Sequence, residues 1–242
     1  MHSLETLHLD GNRKLFGFFP DTSSLKNLAT VTASQCNFTK AGPLSTSLQY
    51  LDLSLNGLSK LPEGIEDLGR LQTLLLQNNQ IGEWALCGVA TKPCSQVTYL
   101  PRFHWDELRM LVVSNNPLGV SAQQFIDSLS YLGQLADLQA ANCSIIGDVV
   151  DFEIQKEKYC LARTRPWVGF KRLQSVDLHG NQLFAVSCPP ESLREASVAG
   201  NKLASLRPCW LHPTGQLSRV DGLAREPGAV RACFQRGVRP TF

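Results

Sequence analysis

The chain has 242 residues, of which 43% are hydrophobic and 18% are charged, and its formal net charge at pH 7 is +2. This composition excludes a disordered or collagen-like chain and allows one globular domain or two small ones. The near-neutral charge does not favour nucleic acid or an anionic membrane as a partner. No apolar run reaches the roughly 18 residues of a membrane span, so we expect no direct membrane insertion in this segment. The 37 leucines instead suggest internal repeats.

One template, LxxLxLxxN, recurs eight times, with copies that start at residues 4, 28, 48, 71, 108, 135, 173 and 193. Apolar residues at positions 4 and 6 of the template alternate with other residues at positions 3, 5 and 7. This alternation is typical of a short strand with one buried face. Such a strand cannot bury its apolar face alone, so we expect the units to stack with their strands in parallel.

The ninth position of the template is expected to end each strand. Six copies have asparagine there, whose amide can both donate to and accept from the turning backbone. These residues are Asn12, Asn56, Asn79, Asn116, Asn181 and Asn201. The other two copies have Cys36 and Cys143, which we expect to be buried free thiols.

Six cysteines remain, and they are candidates for disulfide bonds: Cys87, Cys94, Cys160, Cys188, Cys209 and Cys233. Pairing them in chain order is one of many possible connectivities, and we adopt it as a hypothesis. No CxxC motif and no cysteine–histidine cluster favours a metal ion. Sequons at Asn37 and Asn142 are candidate glycosylation sites, although two sequons are about as many as chance would supply.

The repeats resemble the leucine-rich repeat superfamily over about residues 4–216. Residues 58–71 resemble its common type of about 23 residues, and residues 15–20 (LFGFFP) resemble the plant-type LxGxIP variant of receptor ectodomains. The resemblance implies an α/β repeat fold, a curved leucine-rich repeat solenoid with a parallel concave β-sheet and an irregular or helical convex side. Ser121 can cap a helix on that side, with an apolar face formed by Phe125, Ile126, Leu129 and Leu132.

Residues 1–216 are predicted to form the solenoid of about eight repeats, and residues 217–242 a degenerate repeat or C-terminal cap. Two repeats are longer than the rest, with insertions near residues 82–98 and 148–165. Insertions in solenoids often carry binding, but a drifted surface loop is the simpler interpretation. Because the first strand begins at residue 4 without a cap, we expect the chain to be a segment of a longer protein.

The template also predicts which residues face solvent on the concave sheet, namely positions 3, 5, 7 and 8. These thirty-two positions hold five acidic residues and no lysine or arginine. The middle repeats add apolar side chains there, including Leu55 at position 8. We therefore predict a ligand-binding face. Its residues are Tyr50, Asp52, Leu75, Met110, Val112, Asp137, Asp177, His179 and Glu195. Alternatively, neighbouring loops, such as the first insertion with Trp84, cover its apolar part.

The face predicts a protein or peptide partner with basic or neutral polar groups around an apolar anchor, and not nucleic acid. Ser197 neighbours Asp177 rather than His179, so we expect no Ser–His–Asp relay, no enzyme and no cofactor. The leading hypothesis is a recognition module of a cell-surface or secreted receptor-like protein. A cytoplasmic scaffold or sensor is the alternative, and the regulatory region of an enzyme is a third hypothesis.

Overall fold

The computed structural model describes residues 3–82, 103–149, 167, 169–204, 217–221 and 239–241. Short strands dominate these ranges. In chain order they are β1 (Thr6–His8), β2 (Gly17–Phe19), β3 (Thr30–Thr32), β4 (Phe38–Ala41), β5 (Tyr50–Asp52), β6 (Thr73–Leu75), β7 (Met110–Val112), β8 (Asp137–Gln139), β9 (Ile146–Val149), β10 (Ser175–Asp177), β11 (Gln182–Val186), β12 (Glu195–Ser197), β13 (Arg219–Asp221) and β14 (Arg239–Thr241). Within these ranges, helical structure is confined to α1 (Ala122–Leu129) and a 3₁₀ turn at Ile65–Asp67.

Ten of the strands form one parallel sheet in the order β1-β3-β5-β6-β7-β8-β10-β12-β13-β14. Each strand of the first eight consists of positions 3 to 5 of one repeat, and it pairs with the same positions of the next. Thr73, for example, lies between Tyr50 and Met110. The predicted parallel sheet is thus confirmed. The sheet continues past residue 216 through β13 and β14, two strands more than the eight template copies.

The core lies directly behind this sheet. Template positions 1, 4 and 6 supply most of it, as Leu48, Leu51 and Leu53 do in the third repeat, all with 0% exposure. Positions 3 and 5 of the same strand are only half-buried. A strand three residues long therefore separates a buried face from an accessible one, which is the arrangement that the period-two pattern predicts.

The position-9 asparagines connect successive repeats. Asn79 is 2% exposed, and its Nδ2 donates to the carbonyls of Leu53 and Leu76, both at 2.9 Å. Its Oδ1 accepts the backbone N–H of Leu58 at 3.0 Å. One amide therefore stabilises the turn of its own repeat and the turn of the preceding one, because backbone groups buried at these turns need partners.

The two cysteines at position 9 provide a hydrogen-bond donor, as the asparagine amide does, but not its acceptor. Both are buried and free, as predicted. The Sγ of Cys143 donates to the carbonyl of Val113 at 3.2 Å, and the Sγ of Cys36 donates to that of Leu9 at 3.0 Å. A thiol is a poor acceptor, and in the Cys143 repeat the N–H of Leu118 is instead bound by the backbone carbonyl of Cys143 at 3.1 Å.

In the part of the chain that the structure describes, the opposite side of the solenoid is irregular, with one helix and two short sheets. The predicted helix is confirmed: Ser121 caps α1 and accepts the N–H of Gln124 at 3.2 Å, and the predicted apolar residues are buried. The LxGxIP-like segment forms β2, which pairs with β4. A second ribbon, β9 with β11, was not predicted. Its sequence shows the same spacing, however, with Ile145, Gly147 and Val149 at alternate positions.

The backbone conformation at Gly17 and Gly147 explains why the LxGxIP-like spacing contains glycine. Their φ angles are +89° and +102°, in the region where an L side chain is strained. Most of the predicted insertions near residues 82–98 and 148–165, Trp84 and most of residues 217–242 lie outside the described residues. Within the described ranges, no helix is long and apolar enough to cross a membrane.

Candidate ligand-binding face of the parallel sheet

The candidate site is the side of the ten-stranded sheet that faces away from the core, called here the concave face. It consists of the side chains at positions 3, 5 and 7 of the repeats. The paired register aligns these positions into rows that run across the strands. The two rows at positions 3 and 5 therefore bring together residues that are far apart in sequence.

The apolar part of the face lies on β5, β6 and β7. Tyr50, Leu75 and Met110 are half-buried there and accessible to a ligand. Val112 departs from the prediction, because it is only 7% exposed. It lies in register between Leu75 and Gln139, whose longer side chains flank its short one. The accessible apolar surface is therefore smaller than the sequence suggested.

The carboxylates at the N-terminal end of the face are held in place by neighbouring groups. Asp10 accepts the N–H and the hydroxyl of Ser34, both at 2.8 Å, and the hydroxyl of Thr32. Burial raises the pKa of Asp10, but these hydrogen bonds together lower it below the ordinary value. Asp52 accepts the N–H of Ser54 at 2.8 Å. These hydrogen bonds fix the orientation of both carboxylates.

Asp137 has a different environment. It is half-buried on β8, and Gln139 donates to its Oδ2 at 3.2 Å. Burial raises the pKa of Asp137, and the negative charges of Asp177 and Glu195 raise it further, whereas hydrogen bonds from Gln139 and Ser175 oppose the shift. The three acidic groups therefore influence one another, and this part of the face carries a negative potential that a cationic group would relieve.

Asp177 and His179 form a pair within the same repeat. The Nδ1 of His179 lies 2.8 Å from Oδ1 of Asp177, and its backbone N–H also donates to that oxygen at 3.0 Å. Ser197 is in register with Asp177, as predicted. On the other side of the ring, the Nε2 of His179 lies 3.5 Å from the Nδ2 of Asn142. In the described part of the chain, no three His, Cys, Asp or Glu side chains could hold a metal ion together.

The C-terminal end of the face reverses the charge pattern. β13 places Arg219 in register with the exposed Glu195, and Arg219 binds Asp221 through Nη2 at 3.2 Å. β14 places Arg239 next in the same row. The predicted excess of acidic residues therefore holds for the eight template repeats only. The repeat template did not identify β13 and β14, because they lack its asparagine and several of its leucines.

The remaining predicted positions lie off the face or outside the described residues. Cys188 is disulfide-bonded, whereas Cys87, Cys94, Cys160, Cys209 and Cys233 are not among the described residues. Asn37 and Asn142 are both exposed. The Nδ2 of Asn37 donates to the carbonyl of Arg13 at 2.7 Å, and the Nδ2 of Asn142 donates to Oδ1 of Asn115 at 3.0 Å.

Known proteins share this architecture. A family model described as Leucine Rich Repeat matches residues 47–68. Lumican of Homo sapiens is 30% identical over 200 residues, which cover 78% of this chain and 55% of lumican. Lumican of Gallus gallus is 28% identical over 195 residues, which cover 75% of this chain and 51% of that lumican. The chain thus spans about half of the length of the curated relatives that it matches.

A solved leucine-rich repeat protein of Leptospira interrogans superimposes with a TM-score of 0.66 at 17% identity, over 90% of this chain and 50% of that one. At this identity the likeness shows the fold alone. The repeat template, the parallel sheet, the position-9 ladder and these matches agree. The chain belongs to the leucine-rich repeat superfamily.

Proposed function

We propose that the chain is a protein- or peptide-recognition module that binds its ligand on the concave face. The observation that carries the proposal is a cluster of half-buried apolar side chains on three adjacent strands, with Tyr50 and Met110 in the position-3 row and Leu75 in the position-5 row. Asp52 is in register with Leu75, and Asp137 is in register with Met110. Apolar side chains on an accessible sheet contribute binding free energy when a partner removes them from water. The carboxylates beside them favour a partner with basic or neutral polar groups around an apolar anchor.

An acidic face is unsuitable for nucleic acid, because it repels phosphates that a binding protein must neutralise with lysine or arginine. Leucine-rich repeats do serve protein assembly elsewhere, as in an octameric complex of Latrophilin 3, Unc5D and FLRT2. A leucine-rich repeat chain of that complex superimposes on this chain with a TM-score of 0.56 at 17% identity, and the superposition covers 83% of this chain and 55% of that one. Binding without catalysis is therefore the function that we infer. Among the described residues, Ser197 lies in register with Asp177 rather than with His179, so the Asp177–His179 pair fits a binding role.

We further propose that the module acts at the cell surface or outside the cell. The disulfide bond of Cys188 supports this location, since structural disulfides persist in oxidising compartments. The proposed pairs are Cys87–Cys94, Cys160–Cys188 and Cys209–Cys233. Thiol counting on unreduced, denatured protein should find only Cys36 and Cys143 free. Eight free thiols would contradict the extracellular location and favour the cytoplasmic scaffold.

The binding face is tested with a partner isolated from the extracellular fraction and titrated against purified variants. Tyr50→Ala and Met110→Ala should each weaken affinity by about 1–2 kcal/mol, mainly through faster dissociation. Lys40→Ala, an exposed change on β4, is the control. Asp52→Lys and Asp177→Lys should slow association, and the effect should shrink as salt rises. Glu63→Lys changes the charge equally away from the face. If all four face variants bind like the parent, the concave face is not the binding site.

A further inference from the structure

Position 8 of the repeat forms a row of its own along the rim of the sheet, where the strands end. Its members are Gly11, Gln35, Leu55, Asn78, Asn115, Asn142, Gly180 and Gly200. All eight are exposed, and all have φ between +54° and +75°. The row is therefore in the left-handed region at every repeat.

The backbone enforces this conformation. In each of the first seven members, the N–H donates to the carbonyl at position 7 of the next repeat, as in Leu55 to Gln77 at 2.9 Å and Asn78 to Ser114 at 3.0 Å. The conformation thus belongs to the stacking and not to the side chain. Glycine and asparagine are the residues that adopt it most easily, and they fill six of the eight places.

Gln35 and Leu55 are the two members that this rule does not explain, and Leu55 is the apolar one. It has φ +54°, which is unfavourable for a bulky side chain, and its side chain is 44% exposed. Stability alone would favour asparagine or glycine there. A strained residue that also exposes apolar surface is a sign of function, because its cost has to be offset by something other than folding.

The charges around Leu55 indicate what would contact it. Asp52 lies in the same repeat, and its carboxylate is oriented by the N–H of Ser54. Burial raises the pKa of Tyr50, and the charges of Asp52 and Asp10 raise it further, so the negative potential extends over this part of the face. No lysine or arginine occupies positions 3, 5, 7 or 8 in the first five repeats.

We propose that Leu55 is a specificity-determining anchor, which contacts an apolar side chain of a peptide segment whose neighbouring basic residue faces Asp52. This inference rests on the proposed function and adds to it a residue on the rim and the sequence class of the ligand. Specificity requires both contacts. A peptide with only an apolar residue would form no ion pair with Asp52, and a peptide with only a basic residue would form no apolar contact with Leu55.

The test uses a displayed library of random 12-residue peptides selected on the whole chain, followed by titration of the enriched peptides. We expect a consensus that combines a large apolar residue with a nearby lysine or arginine. Leu55→Asn should weaken binding of these peptides by about tenfold or more, whereas Leu55→Met should retain it. The matched control is Gln35→Asn, which makes the same kind of change at the same position of the adjacent repeat.

Stability provides a second readout that needs no ligand. Leu55→Asn should raise the thermal midpoint by about 2–4 °C, because it replaces a strained leucine by a residue suited to the conformation. A consensus without an apolar residue, equal binding by Leu55→Asn, or an unchanged midpoint would overturn the inference about Leu55. If Tyr50→Ala still weakens binding in those cases, the proposed function survives. Failure to enrich any peptide would instead overturn the proposed function, and this inference with it.

Discussion

Asn79 allows the energetic role of the position-9 ladder to be measured. Its side chain makes three hydrogen bonds, but they are not equivalent. The carbonyl of Leu53 also accepts from Asn56 at 3.1 Å, and the carbonyl of Leu76 also accepts from Asn116 at 2.9 Å. In Asn79→Leu each carbonyl therefore keeps one partner. The N–H of Leu58 loses its partner within a buried turn.

These three losses give the expected magnitude. Two bonds to carbonyls that remain partly satisfied contribute about 0.5–1 kcal/mol each, and an orphaned buried N–H costs about 1–3 kcal/mol. Asn79→Leu should therefore lower the free energy of unfolding by about 2–5 kcal/mol. Asn79→Cys should cost less, because a thiol at this position can donate to the preceding carbonyls, as Cys143 does.

The assay is equilibrium unfolding in urea with the midpoint and slope compared among variants. Gln80→Leu is the control, since it makes the adjacent exposed residue apolar and should change stability by less than about 0.5 kcal/mol. If Asn79→Leu unfolds within that margin of the parent, or if the cysteine variant is less stable than the leucine variant, the ladder does not contribute as the hydrogen bonds indicate.

Two further predictions concern titrating groups. The pKa of Asp137 is raised from 3.8 in the folded state, so its ionisation destabilises the fold as pH rises through that raised pKa. Asp137→Asn should therefore raise the unfolding midpoint at pH 7, and this gain should disappear at lower pH. A gain that is equal at all pH values would refute the prediction. Burial raises the pKa of Cys143 to about 11, so iodoacetamide at pH 8 should label this thiol only in unfolded protein. Mass spectrometry can measure the labelling, and rapid labelling of folded protein would contradict the burial of Cys143.

The sheet could be predicted because each template position has one dominant physical requirement. Leucines at positions 1, 4 and 6 reach the core, and a polar group at position 9 satisfies buried backbone, so the residue types alone indicate the register. β13 could not be found in this way. Leu217 and Val220 occupy the buried positions, but Gly222 stands where position 6 should be apolar, and no asparagine follows. Pairing with β12 forms the strand without a complete template.

The accessible part of the site was harder to predict. The template indicates which side of a strand Val112 faces, but its exposure depends on the side chains of the adjacent strands. Burial in the sheet likewise raises the pKa of Asp137, and the charges of Asp177 and Glu195, which are distant in sequence and close only through the sheet, raise it further. Sequence periodicity identifies faces, whereas exposure and electrostatic coupling follow from the three-dimensional arrangement of neighbours.

The repeat separates residues that folding requires from residues that it leaves free. Positions 4, 6 and 9 are restricted by the core and the ladder, and position 8 by its left-handed backbone. Position 3 carries no such restriction, so folding does not explain why it holds acidic residues at Asp137 and Glu195, whose charges add to that of Asp177. Burial raises the pKa of Asp137, and the charges of Asp177 and Glu195 raise it further, so the fold disfavours the ionised form of Asp137. An arrangement that folding does not require and that electrostatics opposes is best explained by a cationic or hydrogen-bond-donating partner that neutralises it.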